Sequence, residues 1–149
     1  MMRIDVFNGP NLNLLGQREP SVYGTMTLPA LELALVERGE ALGVRVVCCQ
    51  HNGEGALVDA IQGAAAAGSA GALVNAGGYT HTSVAIRDAL TGTTLPFVEV
   101  HLSNIHAREP FRHRSLLSDV ALGVIVGLGP AGYLLGLDGL VARLSERLP

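Results

Sequence analysis

Apolar positions in this chain come in short β-branched runs, separated by stretches that repeat with helical period. Arg3–Phe7 reads as a first strand, stopped by the turn signal Asn8-Gly9-Pro10. Leu28, Leu31, Leu35 and Leu42 mark a helix over Leu28–Leu42, with Thr27 as N-cap, Pro29 in the first turn and Gly43 as the stop. Val44–Cys49 is an almost continuous β-branched run, the pattern of a strand covered on both faces. The same reasoning predicts a second helix over Gly55–Ala67, a third strand over Ala72–Ala76 and a third helix over Thr82–Leu90, capped by Thr80 or Thr82. A fourth strand over Pro96–Val100, a fifth over Leu122–Val126 and a closing helix over Pro130–Leu148 complete the series.

Alternating strands and helices imply an α/β fold with a parallel sheet and helices on both faces. Five strands over 149 residues suggest one domain, residues 1–149, with the three-layer flavodoxin-like strand order 2-1-3-4-5. In that order ligands bind beyond the carboxyl ends of the strands, beside the switch point between the first and third. Val120–Leu137 carries no charge over 18 residues, enough to raise a membrane helix. Its glycines and Pro130 interrupt any continuous helix, so a strand, a turn and a helix are expected instead, in a soluble protein.

Composition narrows the chemistry. All ten basic residues are Arg, which excludes a Schiff-base or general-base lysine. A net charge of −3 without a basic stripe argues against a nucleic-acid partner. Cys48 and Cys49 are adjacent in an apolar run, which suits a buried strand in a reducing compartment better than a disulfide framework, and no metal-ligand spacing involves them. No signal peptide is evident, so a cytoplasmic location is expected.

Polar and titratable residues gather after the strands. Asn11, Arg18 and Tyr23 follow the first, Gln50-His51-Asn52-Gly53-Glu54 the second, Asn75 to His81 the third and Glu99 to Asn104 the fourth, whereas the opposite loops hold small residues and threonines. The loop from Gly9 to about Thr27 is too long for a mere connector. Neither a nucleophile elbow nor a phosphate loop ending in Gly-Lys is present. Gly127-Leu128-Gly129-Pro130-Ala131-Gly132 fits the dinucleotide fingerprint, but an acidic ribose partner about 20 residues further on would have no strand to carry it. A tight turn with Pro130 opening a helix is the plain reading. What remains is Tyr, His, Arg and amides, an inventory suited to proton abstraction from a carbon acid. A Tyr base, ordinarily near 10, needs a nearby cation to bring it toward neutrality, and Arg18, five residues before Tyr23 in one loop, is a candidate. Glu99 and His101 alternate on one strand and so face one side.

Asn8–Gly16, Gln50–Glu54, Asn75–Ser83, Glu99–Arg112 and Gly127-Leu128-Gly129 with Gly132-Tyr133 together resemble type II 3-dehydroquinate dehydratase, in order and at family spacing along essentially the whole chain. The resemblance implies anti elimination of water from 3-dehydroquinate to give 3-dehydroshikimate in the shikimate pathway, through an enolate and with neither cofactor nor metal. It implies that Tyr23 is the base, His101 the acid for the departing hydroxyl, Arg18 the group that lowers the Tyr23 pKa, Asn11 a holder of water on the enolate oxygen and Glu99 the orienter of His101. It further implies that Asn75, His81, the Leu102 backbone, Ser103 and Arg112 bind substrate, and that Asp88 reaches a neighbouring subunit's site in a homo-oligomer, a dodecamer built from trimers. On this reading the loop is a lid, with Gly16 and Gly24 as hinges. One departure stands out: His113-Arg114 follows Arg112 where family members commonly place Arg before His. The alternative from another class is a non-catalytic flavodoxin-like module holding a flavin or nucleotide. It would want a Ser/Thr/Gly loop after the first strand, where this chain has Pro10, Leu12, Leu14 and Leu15.

Overall fold

A computed structural model describes residues 1–17, 21 and 25–146. The order is β1 (Met2–Asn8), α1 (Leu28–Ala41), β2 (Val44–Gln50), α2 (Glu54–Ala66), β3 (Gly71–Asn75), α3 (Val84–Gly92), β4 (Phe97–His101), β5 (Gly123–Val126) and α4 (Pro130–Glu146). Short 3-10 turns at Leu12–Leu14, Gly77–His81, Ile105–Ala107, Pro110–Arg112 and Ser118–Val120 lie between them. All strand pairs are parallel and the sheet order is β2-β1-β3-β4-β5, as the alternating pattern predicts.

Because successive strand residues point to opposite faces, the three inner strands β1, β3 and β4 each feed two cores. Ile4, Val6, Leu73, Val98 and Val100 pack with α1 and α4, through Leu31, Leu35, Tyr133, Leu137 and Leu140. Phe7, Ala72, Val74 and Phe97 pack with α2 and α3, through Leu57, Ile61, Ile86 and Leu90. Burying each such side chain contributes about 1.5–3 kcal/mol, which makes the sheet a rigid platform for whatever its edge carries.

Three expectations need correction. The β2 run is not covered on both faces: Val44 and Val46 are buried, but Arg45 is exposed and residues 47–50 are half-buried. β2 is an edge strand paired only to β1, so its outer side lacks a neighbour. Cys48 and Cys49 are accordingly half-buried free thiols. Burial, with the charges of Glu32 and Asp5 nearby, still pushes Cys48 up to about 12 and Cys49 up to about 11. Finally, α3 is capped by neither Thr80 nor Thr82; Ser83 Oγ accepts from the Ile86 N–H at 3.0 Å, because Thr80 lies within the 3-10 turn Gly77–His81 and Thr82 closes it. Thr27 caps α1 as expected, its Oγ1 accepting from the Ala30 N–H.

The charge-free stretch Val120–Leu137 resolves into β5, a turn and the start of α4, and no helix among the described residues is long and apolar enough to cross a membrane. In that turn Gly127 has φ +85°, and a Cβ there would sit 3.1 Å from Asn104 Cβ. The Gly-rich string is thus a close-packed turn before a helix opened by Pro130.

Candidate active site

Parallel pairing sets the ends of the strands level. Asn8 at the end of β1 stands beside Gln50 of β2 and Asn75 of β3, while Val74 of β3 stands beside Glu99 of β4. The chain leaves β1 through a turn that only glycine fits: a Cβ on Gly9 would lie 2.4 Å from the Ala76 carbonyl oxygen.

β4 carries the most demanding group. Glu99 is 0% exposed, and a lone carboxylate there would cost several kcal/mol. Its Oε2 lies 2.5 Å from His101 Nε2, and its Oε1 accepts from Ser118 Oγ at 2.6 Å and Ser115 Oγ at 3.0 Å. Ser115 Oγ in turn accepts from the N–H groups of Leu117 and Ser118, which locks the hydroxyl in place. Burial pushes the Glu99 carboxyl up, but the His101 and serine hydrogen bonds and the imidazole charge outweigh it, and the net shift is downward. An ionised carboxylate only accepts, so His101 Nε2 carries hydrogen and Nδ1 is the nitrogen left for the pocket.

The His81 ring stacks near His101, with centroids 6.4 Å apart and planes inclined by 19°. Its Nδ1 donates to the Arg114 carbonyl at 2.8 Å, which leaves Nε2 as its second nitrogen. Asn75 is held from below: its Nδ2 donates to the buried Tyr133 hydroxyl at 2.8 Å, that hydroxyl donates to Asn8 Oδ1 at 2.6 Å, and Asn75 Oδ1 accepts from the Gly77 N–H. Burial raises the Tyr133 phenol, so it stays neutral and donates. Among the described residues only Tyr133 takes an N–H of Asn75, and the amide has a second to offer.

One pocket is lined by Asn11, Asn75, His81, His101, Leu102 and Ser103, together with Arg108 and Arg112. Glu99 stands behind His101 rather than in the pocket. Arg112 Nε donates to Glu109 Oε2 at 3.0 Å, and Arg108 reaches Ser103 Oγ at 3.5 Å. Asp88 is exposed on α3 and is not among the residues lining this pocket. Arg18, Tyr23 and Gly24 lie outside the described residues. Gly16 is described, with φ +88°, and a Cβ there would sit 2.8 Å from the Thr25 carbonyl oxygen, so the departing and returning chain meet. No group of three or more His, Cys, Asp or Glu among the described residues could hold a metal ion.

The His113-Arg114 departure is accommodated without loss of these contacts. Arg114 meets His81 through its main-chain carbonyl, and His113 Nε2 bonds the Arg108 carbonyl at 2.9 Å. Sequence reasoning assigned no role to Ser115, Ser118, Tyr133 or Arg108. A signal for the serines existed: a Glu in a strand of apolar neighbours must find hydrogen-bond donors elsewhere in the fold.

The chain is matched over residues 2–141 by the family described as dehydroquinase class II. It is 57% identical over 145 residues, 97% of each chain, to the 3-dehydroquinate dehydratase of Prochlorococcus marinus. It is 58% identical over 145 residues, again 97% of each, to that of Ruegeria pomeroyi. The type II dehydroquinase structure from Butyrivibrio crossotus superposes with a TM-score of 0.91 at 45% identity, covering 93% of this chain and 97% of that one. The chain belongs to the class II dehydroquinase family.

Proposed function

We propose that this chain is a type II 3-dehydroquinate dehydratase, which removes water from 3-dehydroquinate in anti fashion to give 3-dehydroshikimate, in the cytoplasmic shikimate pathway and with neither metal nor cofactor. The observation that carries the reading is the Glu99–His101 couple opening on a pocket lined by Arg108 and Arg112, in a chain of this family. A lining with two guanidinium groups suits a carboxylate substrate, because guanidinium groups pair with carboxylates bidentately.

Tyr23, as a phenolate whose pKa Arg18 lowers, takes the C2 proton, and the electron pair moves into the ketone to give an enolate. Asn11 holds the water that hydrogen-bonds the enolate oxygen, an oxyanion-type contribution. The enolate collapses to the enone as the C1–oxygen bond breaks, and the leaving hydroxyl takes the Nδ1 proton of His101 and departs as water. Glu99 balances the imidazolium until that proton is given up. Asn75 and His81 bind substrate hydroxyls, while Leu102 through its backbone, Ser103 and Arg112 take the carboxylate. Asp88, exposed on α3, completes a neighbouring subunit's site in a homododecamer built from trimers.

The test follows enone ultraviolet absorbance after adding 3-dehydroquinate to wild type, Tyr23→Phe and His101→Ala, with and without EDTA. Wild-type turnover, indifferent to EDTA, is expected, with a loss on the order of 10²–10⁴-fold in each variant. An inactive wild type overturns the reaction; near-normal turnover in Tyr23→Phe overturns the base.

A further inference from the structure

The motif Gln50–Asn52, at the end of β2, contributes no side chain to the pocket. Its amides are nonetheless turned toward β1. We propose that Asn52, braced by Gln50, is a positioning residue that clamps the main chain at Asn11 and so presents the Asn11 amide to the substrate; the catalytic part of this inference rests on the role given to Asn11 above.

Asn11 has φ 71° and ψ −5°, one of two non-glycine residues with positive φ among those described. Such a conformation costs energy and persists where the surroundings hold it, and Asn tolerates it better than most residues. The holding contacts come from the Gln50–Asn52 segment. The Asn11 N–H donates to Asn52 Oδ1 at 3.0 Å. Gln50 Nε2 donates to the Gly9 carbonyl at 3.1 Å and to Asn52 Oδ1 at 3.0 Å, so one amide fixes both the acceptor and the chain two residues upstream. The Asn52 carbonyl accepts from the Tyr79 hydroxyl at 2.8 Å, which ties the clamp to the turn after β3.

The outcome for Asn11 is unusual for its position. It precedes the 3-10 turn Leu12–Leu14, where an Asn side chain commonly bonds the first free N–H groups. Here it makes no such bond, and no hydrogen bond among the described residues uses its side-chain amide. The backbone is held by Asn52 instead, and the amide stays available where Asn11 lines the pocket.

Two readouts test the clamp in the intact protein. The first is hydrogen exchange at the Asn11 amide, in wild type, Asn52→Leu and Asn52→Asp. Protection is expected in wild type, is lost with Leu, which removes the acceptor, and returns with Asp, which keeps it. The second is steady-state kinetics with 3-dehydroquinate for those variants, Asn11→Ala and the double variant. One lost hydrogen bond predicts a kcat about 3- to 10-fold lower for Asn52→Leu with KM within about twofold, restored by Asn52→Asp. Asn52→Leu should add nothing to Asn11→Ala, since it acts through it. Gln50→Met, which keeps the fold of the Asn52 turn but loses the brace, should lower kcat by about two- to fivefold if Asn52→Leu fails to fold. An unprotected Asn11 amide, protection indifferent to Asn52→Leu, or fold-losses that multiply in the double variant overturn the clamp. Protection behaving as expected while kcat is untouched in Asn11→Ala overturns instead the role of Asn11.

Discussion

Two histidines share the pocket, and their backs differ. His101, at the end of β4, is backed by a buried carboxylate that the ring itself and two serine hydroxyls hold in the ionised form. His81, in the turn after β3, is backed by a main-chain carbonyl. The carboxylate neutralises a positive ring, whereas the carbonyl fixes only which nitrogen carries hydrogen. On the proposed mechanism, these two residues of one type, with centroids 6.4 Å apart, do different work: proton delivery for His101 and hydrogen bonding for His81. The group behind each ring, more than the ring's place in the pocket, makes the distinction.

Among changes made behind the two rings, removing the charge at Glu99 should have the largest effect. Glu99→Gln keeps the volume and an acceptor but not the negative charge, and kcat is expected to fall by roughly 10²-fold with little change in KM, measured by enone absorbance. A variant within about threefold of wild type would mean that the carboxylate only packs.

Next come the hydroxyls. Replacing Ser115 and Ser118 by Ala strips the donors from Glu99 Oε1, at a cost of about 1.5–3 kcal/mol for each bond to the charge. Denaturant titration reads that loss. Because the folded Glu99 carboxyl lies below its ordinary value of 4.5, the stability it contributes is present above that value and is lost as the pH falls through the lower folded one. The gap between wild type and the double variant should therefore be widest near neutral pH and shrink in acid. A gap that does not change with pH would assign the serines to packing alone.

The smallest of these effects lies behind His81. Since the Arg114 carbonyl holds its ring, Arg114→Ala should leave kcat and KM within about twofold of wild type. A larger change would bring the Arg114 side chain into the site.

How much of this was legible in the sequence depends on how far apart the partners lie. Strand order, both cores and the Thr27 cap follow from local periodicity and from rules about parallel sheets. The Glu99–His101 couple is legible too, as an alternation of two residues on one strand. The α3 cap escapes a local reading because Thr80 lies in a 3-10 turn that Thr82 closes, and the burial of β2 is overstated by its β-branched run even though the order 2-1-3-4-5 already puts that strand at an edge. Ser115 and Ser118 meet Glu99 across 16 and 19 residues of irregular chain, and Tyr133 meets Asn8 across 125. No periodicity encodes such contacts; they exist only once the sheet has set its strand ends level.

The comparison is tested most directly by kcat and KM for His101→Ala and His81→Ala, measured side by side with 3-dehydroquinate. His101→Ala should lose about 10²–10⁴-fold in kcat with KM nearly unchanged. His81→Ala should raise KM by up to about tenfold and keep most of its kcat, as the loss of one hydrogen bond implies. Equal collapse of kcat in both variants, or turnover surviving in His101→Ala, would contradict the division of labour between the two rings.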